Sequence, residues 1–218
     1  MEREVFLERV RAATATTVLP PHPATDPGLL VADLGEADLL ALFTARVEEV
    51  DGVVHRVADD GDIGQRVVEI AVHQQIRSFM VWDELRTTVG ERLTGAGLAE
   101  ISGEVGQTDR LAHQLGYMDL GIGVTGAEAG LAESGTVVLR SGPGRPRMAS
   151  VIPLVHVAIL RADRIHRSLS HWAAEAATEI SDAANVVLIT GPSRTADIEQ
   201  HINVGVHGPR AVHIVVVG

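Results

Sequence analysis

The chain has no cysteine. That excludes disulfides, a thiol nucleophile and any cysteine-ligated zinc or iron–sulfur centre within these residues. Lysine is absent too, so all 18 basic residues are arginine, against 29 acidic ones, and the formal net charge is −11. A phosphate backbone would be repelled by most of such a surface, and no basic run offsets it, so no nucleic-acid partner is expected. Aromatics are scarce: three Phe, two Trp and one Tyr. With 45% hydrophobic residues, the core must be built from Val, Leu, Ile and Ala. The longest apolar stretches, Val151–Leu160 and Val212–Val217, are too short to span a bilayer, so no membrane insertion is expected. The first ten residues are acidic where a secretory leader needs basic ones, and the expected location is cytoplasmic.

What is present reads as alternating helix and strand. Glu2–Thr14 has helical spacing, and Pro20, Pro21, Pro23 and Pro27 follow as an extended crossover. Residues 1–35 therefore form an N-terminal appendage to one domain covering the 218 residues. Ala37–Val50 and Ile63–Ile76 read as helices flanking a strand at Val53–Val57. Ser78–Trp82 is a short strand, and Leu85–Leu98 a helix interrupted by Gly95 and Gly97. Thr108–Leu115 is helical and leads into a strand at Met118–Val124. Thr136–Leu139, Leu154–Leu160, Val186–Thr190 and Val212–Val217 are continuous β-branched runs, the pattern of strands buried on both faces. Helical segments at Ser168–Ile180 and Thr195–Asn203 separate them. The expected fold is α/β: an open, doubly wound, mostly parallel sheet flanked by helices.

Four segments carry candidate chemistry. Val186–Glu199 reads as a strand, a Gly191-Pro192 turn and a helix start, with Ser193, Arg194, Thr195 and Asp197 placed to meet an anion. The same residues read first as a helix cap with a dipole-opposing carboxylate, and both roles can hold at once. Val204–Arg210 is a tight turn offering His207, Gly208 and Arg210. Gly121, Gly123 and Gly126 match a Gly-x-Gly-x-x-Gly pattern, weak by itself and lacking the acidic residue a dinucleotide site wants. Thr125 and Glu128 fit a capping box, and Glu133 stands before a strand as a candidate acid/base or as a solvated turn residue. The Arg140–Arg147 loop holds three arginines among Gly and Pro; as a flap over an anion or as a plain connection, it is equally well explained. The ten histidines are scattered without metal-site spacing, so no metal is expected. His156, inside an apolar strand, is expected to be a hydrogen-bonded core residue.

Thr125–Ala129 with Ala132–Thr136, then Pro153–Val157, Gly191–Glu199 and His207–Arg210, together resemble the ordered signature of the LUD-domain family, in its lactate-utilisation protein C group. The resemblance covers about Leu111–Gly218, and Gly191–Glu199 is its most specific part. It implies an open α/β fold like that of 5-formyltetrahydrofolate cyclo-ligase, ribose-5-phosphate isomerase and the coenzyme A transferases. It also implies a role in oxidising lactate to pyruvate beside iron–sulfur partner proteins. No established catalytic residue carries over; carboxylates near strand ends in the wider superfamily direct attention to Glu133. Two functions follow as expectations. One is an accessory subunit that binds a small anionic ligand through Thr125, Glu128, Gly191, Ser193, Arg194, Thr195, Asp197, His207, Gly208 and Arg210. The other is a stand-alone enzyme acting on a phosphorylated or nucleotide-like small molecule, with Glu133 as acid/base.

Overall fold

The computed structural model describes residues 3–14, 38–102, 117–176, 183–196, 202–205 and 207–218. Contacts divide the chain into two bodies, Met1–Asp33 and Leu34–Gly218. The first contains helix α1 (Arg3–Thr14), whose Val5, Phe6 and Val10 are exposed.

In the larger body, aspartates open the two long helices. Asp38 accepts hydrogen bonds from the Leu40 and Ala41 amides at 3.0 and 3.1 Å and starts α2 (Leu39–Glu49). Asp59 accepts from the Gly61 amide and starts α3 (Asp60–His73), where Asp60 and Asp62 complement the helix dipole. α2 buries Phe43 and Val47; α3 buries Ile63, Val67, Ile70 and Ala71, a helical stripe facing one way.

Between these stripes lies a parallel sheet of β1 (Val53–Val57), β2 (Ser78–Val81), β3 (Ala99–Glu100), β4 (Ile122–Gly126), β7 (Val155–Arg161) and β12 (Ala211–Val217), in the order β1-β12-β7-β4-β2-β3. All its ladders are parallel. One face packs α3 and the turn of helix α4 (Glu91–Gly95) onto Val57, Phe79, Val81, Val124, Val157 and Val215. The other packs α2 and strand residue Val137 onto Leu160, Ile214 and Val216. The expected α/β class with a mostly parallel central sheet is therefore observed. His156 is fully buried and hydrogen-bonded to Thr125, as its position in β7 required.

A second sheet covers part of that other face and departs from expectation. It is built from β5 (Ala129–Leu131), β6 (Thr136–Ser141), β8 (Ile165–His166) and β9 (Asn185–Ile189), in the order β8-β5-β6-β9, with β5–β6 and β6–β9 antiparallel. β9 was expected inside the parallel sheet; it lies at the edge of this one, and Leu188 is 45% exposed. A short apolar run cannot distinguish a two-sided burial from a half-covered edge. Helix α5 (Met148–Val151) sits against β4 and β7, and α6 (Leu169–Glu175) is shorter than the Ser168–Ile180 span read from sequence.

Two further local readings are corrected. Thr195–Asn203 is not a helix at its described ends: β10 (Arg194–Ala196) pairs antiparallel with β11 (Ile202–Val204). β-branched Thr195, Ile202 and Val204 favour extended backbone, and the pairing satisfies amides that a helix would have used. No helix follows Thr125 either, so Thr125 and Glu128 form no capping box; β4 runs through Gly126 and the chain then enters β5. The expected helix at Thr108–Leu115 lies outside the described residues.

Candidate functional site

In a parallel sheet, side chains that meet ligands gather where loops leave the carboxyl ends of the strands. Here those ends are Val81 on β2, Gly126 on β4 and Arg161 on β7. The loops leaving them bring together Trp82, Glu84, Glu128 and Arg164; β6 adds Arg140 and the loop after it Arg145.

Glu128 is the centre of this group. Its side chain is only 16% exposed, and three arginines converge on it. Arg140 Nε donates to Oε2 at 3.2 Å, Arg145 Nη1 lies 3.7 Å from Oε2, and Arg164 Nη2 lies 3.7 Å from Oε1. Arg164 Nε also donates to the Glu128 carbonyl at 3.2 Å, fixing the backbone that presents the carboxylate. Arg145 reaches a second carboxylate, donating from Nε to Glu84 Oε2 at 2.6 Å, and its guanidinium lies 5.5 Å from the Trp82 ring centroid. Arg140, Arg145 and Arg164 thus surround Glu128, with Glu84 as the second carboxylate beside Arg145.

The Arg140–Arg147 loop is tied down on this group. The Asp83 amide donates to Gly144 O at 2.9 Å, and Trp82 Nε1 donates to Pro146 O at 3.1 Å. Gly144 takes a positive φ of 69° with Asp83 pressed against it, so a side chain there would be both strained and obstructed. Clefts open on both sides of the loop. One, about 570 Å³, is lined by Asp83, Arg86, Ser102 and Gly142–Gly144; the other, about 270 Å³, by Arg140, Ser141, Arg145 and Ala183.

The other residues singled out from sequence lie elsewhere. Thr125 is fully buried, its hydroxyl 2.9 Å from His156 Nε2. Glu133 sits in the turn from β5 to β6, its amide donating to Arg167 O. That turn packs on α2, where a side chain on Gly135 would meet the backbone of Arg46 and Val47. Gly191, Ser193, His207, Gly208 and Arg210 gather near the amino end of β12: the Ser193 amide donates to Pro209 O at 2.8 Å, and Gly208 faces the Ser193 side chain. His207 and Arg210 are exposed there. Arg194 pairs with Asp51, Thr195 contributes its backbone to β10, and Asp197 lies outside the described residues. These loops stand at the end of the sheet opposite the arginine group. Among the described residues no cluster of three or more His, Asp or Glu is arranged to hold a metal.

Arg194 and Asp51 are 43% and 79% exposed, so water screens their attraction. Arg194→Ala is expected to change unfolding free energy by at most ~1 kcal/mol in urea denaturation; a larger loss would mean that the pair holds the hairpin to the domain.

Sequence reading found Glu128 and the Arg140–Arg147 loop but missed Trp82, Glu84 and Arg164. The available cue was positional: each follows closely on the carboxyl end of a strand in the parallel sheet.

The fold and this polar group define an α/β protein with a parallel sheet, a second antiparallel layer and an arginine-rich carboxyl-end site. The LUD domain model matches residues 40–217, and the chain belongs to that family. It is 41% identical over 188 residues to lactate utilization protein C of Macrococcus caseolyticus, covering 82% of this chain and 71% of that protein. It is 45% identical over 103 residues to the protein of the same name in Halalkalibacterium halodurans, a match that spans only 44% of each. Among solved structures, a DUF162 family protein from Deinococcus radiodurans shares the fold, with a TM-score of 0.64 over 85% of this chain and 99% of that one, at 17% identity. No helix among the described residues is long and apolar enough to cross a membrane.

Proposed function

We propose that this chain is a ligand-binding subunit of a lactate-oxidising system, and that it holds a small monocarboxylate at the group formed by Glu128, Arg140, Arg145 and Arg164. The observation that carries this reading is the convergence of three arginines on one largely buried glutamate at the carboxyl end of the parallel sheet. The two glutamates hold the guanidinium groups in place before a ligand arrives, which lowers the ordering cost of binding. A guanidinium has more N–H donors than one carboxylate can use, and its planar fork matches a second one. A small carboxylate such as lactate or pyruvate suits such planar donors. The names of the relatives above support the same substrate class.

Oxidising lactate releases two electrons, and this chain has no cysteine with which to ligate a cluster. In this proposal iron–sulfur partner proteins carry the electrons, and the chain supplies binding and placement.

Trp82 provides the test, because it lies against Arg145 and the chain's other tryptophan, Trp172, is far along the sequence in α6. In a Trp172→Phe background, pyruvate or lactate is expected to change Trp82 fluorescence saturably. Adding Arg145→Ala should weaken binding by roughly tenfold or more, as expected for losing a charge-assisted hydrogen bond. A titration without a saturable change, or one unaffected by Arg145→Ala, would remove the site from consideration.

A further inference from the structure

At the opposite end of the parallel sheet lies a further cleft of about 500 Å³, between the later turns of α3 and the amino ends of β1 and β12. Its lining includes Val53 and His55 from β1, Arg66, Glu69 and His73 from α3, and His213 from β12. Val53 and His213 are cross-strand partners, so His55 stands on the same face of the sheet, one pleat further along. The His55 and His213 rings stack at 5.2 Å with 21° between their planes, and His55 Nε2 lies 3.0 Å from His213 Nδ1.

One proton is shared across that contact, and its position sets the far side of His213. When His55 Nε2 donates, His213 carries its own proton on Nε2; when His213 Nδ1 donates, Nε2 is a bare acceptor. His213 Nε2 is buried and has no hydrogen-bond partner among the described residues, and the same is true of Arg66 Nε, always a donor. Two buried unpartnered nitrogens on residues lining one cleft call for an occupant that satisfies both.

The charge around the cleft limits what that occupant is. Arg66 is already neutralised by Glu69 at 2.8 Å, and Glu69 also accepts from Gln65 Nε2. Burial holds the imidazoles of His55 and His213 in their neutral forms. The carboxyl end of α3 adds partial negative charge, which opposes an anion. Arg66 Nε–H, a donor only, offers a cation no acceptor.

We propose that this cleft binds a small, planar, uncharged amide or lactam. Its carbonyl oxygen accepts from Arg66, and its N–H or carbonyl engages His213 Nε2 in whichever tautomer the His55 contact allows. Val53 and Ile70 give apolar edges to a flat ligand body. Arg66, 41% exposed along its side chain, has the freedom to turn its Nε–H toward the ligand.

The test uses 2-pyridone as probe, with acetate and methylammonium as charged controls, and reads the imidazole nitrogens of the whole chain by NMR. 2-Pyridone is expected to shift the His55 and His213 signals saturably. Val53→Trp, at an edge-strand position 42% exposed, fills the mouth without entering the core; it should leave thermal stability unchanged and weaken binding by roughly tenfold. A second variant, Arg66→Met, keeps the apolar stem and should weaken binding by about fivefold through the lost donor. No saturable shift, or equal binding in Val53→Trp, overturns the site. Acetate or methylammonium binding as tightly as 2-pyridone overturns the uncharged class. The cleft is remote from Arg145, so neither result depends on the monocarboxylate reading.

Discussion

Gly123→Ala is expected to lower stability by about 3 kcal/mol, the upper end of the usual cost of overpacking. At this chain length that corresponds to a fall in Tm of roughly 6–12 °C. The Cβ would sit 1.8 Å from the Ala149 carbonyl oxygen, 2.8 Å from its carbonyl carbon and 2.9 Å from Pro153 Cγ. The first two are backbone atoms of α5 and cannot rotate aside. β4 cannot retreat either, because it is hydrogen-bonded on both edges, to β7 and β2. Gly95→Ala is the matched control: nothing lies within 4 Å of its would-be Cβ, and its φ is not positive. That variant should be neutral or stabilising by up to ~1 kcal/mol. Equal stabilities for the two variants in urea denaturation would show that α5 is not pressed onto β4.

The same glycine explains how a Gly-x-Gly-x-x-Gly spacing arises here without a nucleotide. Gly123 admits α5, and Gly126 admits the Glu84 carboxylate, whose Oε1 would be 2.6 Å from a Cβ there. Both lie within β4 rather than in a turn leading to a helix.

Periodicity revealed the parallel sheet because its central strands are covered on both faces. β7 and β12 each present six consecutive buried residues, and such runs have little other use in a chain this size. β9 has the same apolar composition and a different fate, since burial of an edge strand depends on what the rest of the chain brings to it. The Thr195–Asn203 segment was misread because polar residues and one Pro-containing turn satisfy helix-start rules and hairpin rules alike. Glu128 was noticed for a cap that does not form. Its three arginines come from positions 140, 145 and 164, and its neighbour Glu84 from the other side of β4. No local pattern links those positions; only strand order does. The His55–His213 contact joins residues 158 apart for the same reason: β1 and β12 are neighbours in the sheet although they are its first and last strands in chain order.

Acidification from pH 7 to pH 5 is expected to cost this protein roughly 3–4 kcal/mol of stability through two buried histidines. Burial lowers the His156 pKa to about 3. Burial, with His55 and His73 nearby, lowers that of His213 to about 4. In the unfolded chain both imidazoles protonate as the pH falls through ~6.5. The unfolded state therefore binds more protons than the folded state from that point down to the folded values. Stability from these groups is complete above pH ~6.5 and is lost progressively as the pH falls toward 4 and then 3. His156 is the stronger case, since it is fully buried in β7 and makes a neutral hydrogen bond to Thr125. A charge there would have no counterion and no water. His156→Gln retains a polar partner for Thr125 but cannot titrate. Whatever it costs at pH 7, the further loss between pH 7 and pH 5 should shrink by about 2 kcal/mol relative to the parent chain, measured by urea denaturation at each pH. An undiminished loss in that variant would mean that His156 takes up its proton without unfolding, and that the centre of the parallel sheet is open to water.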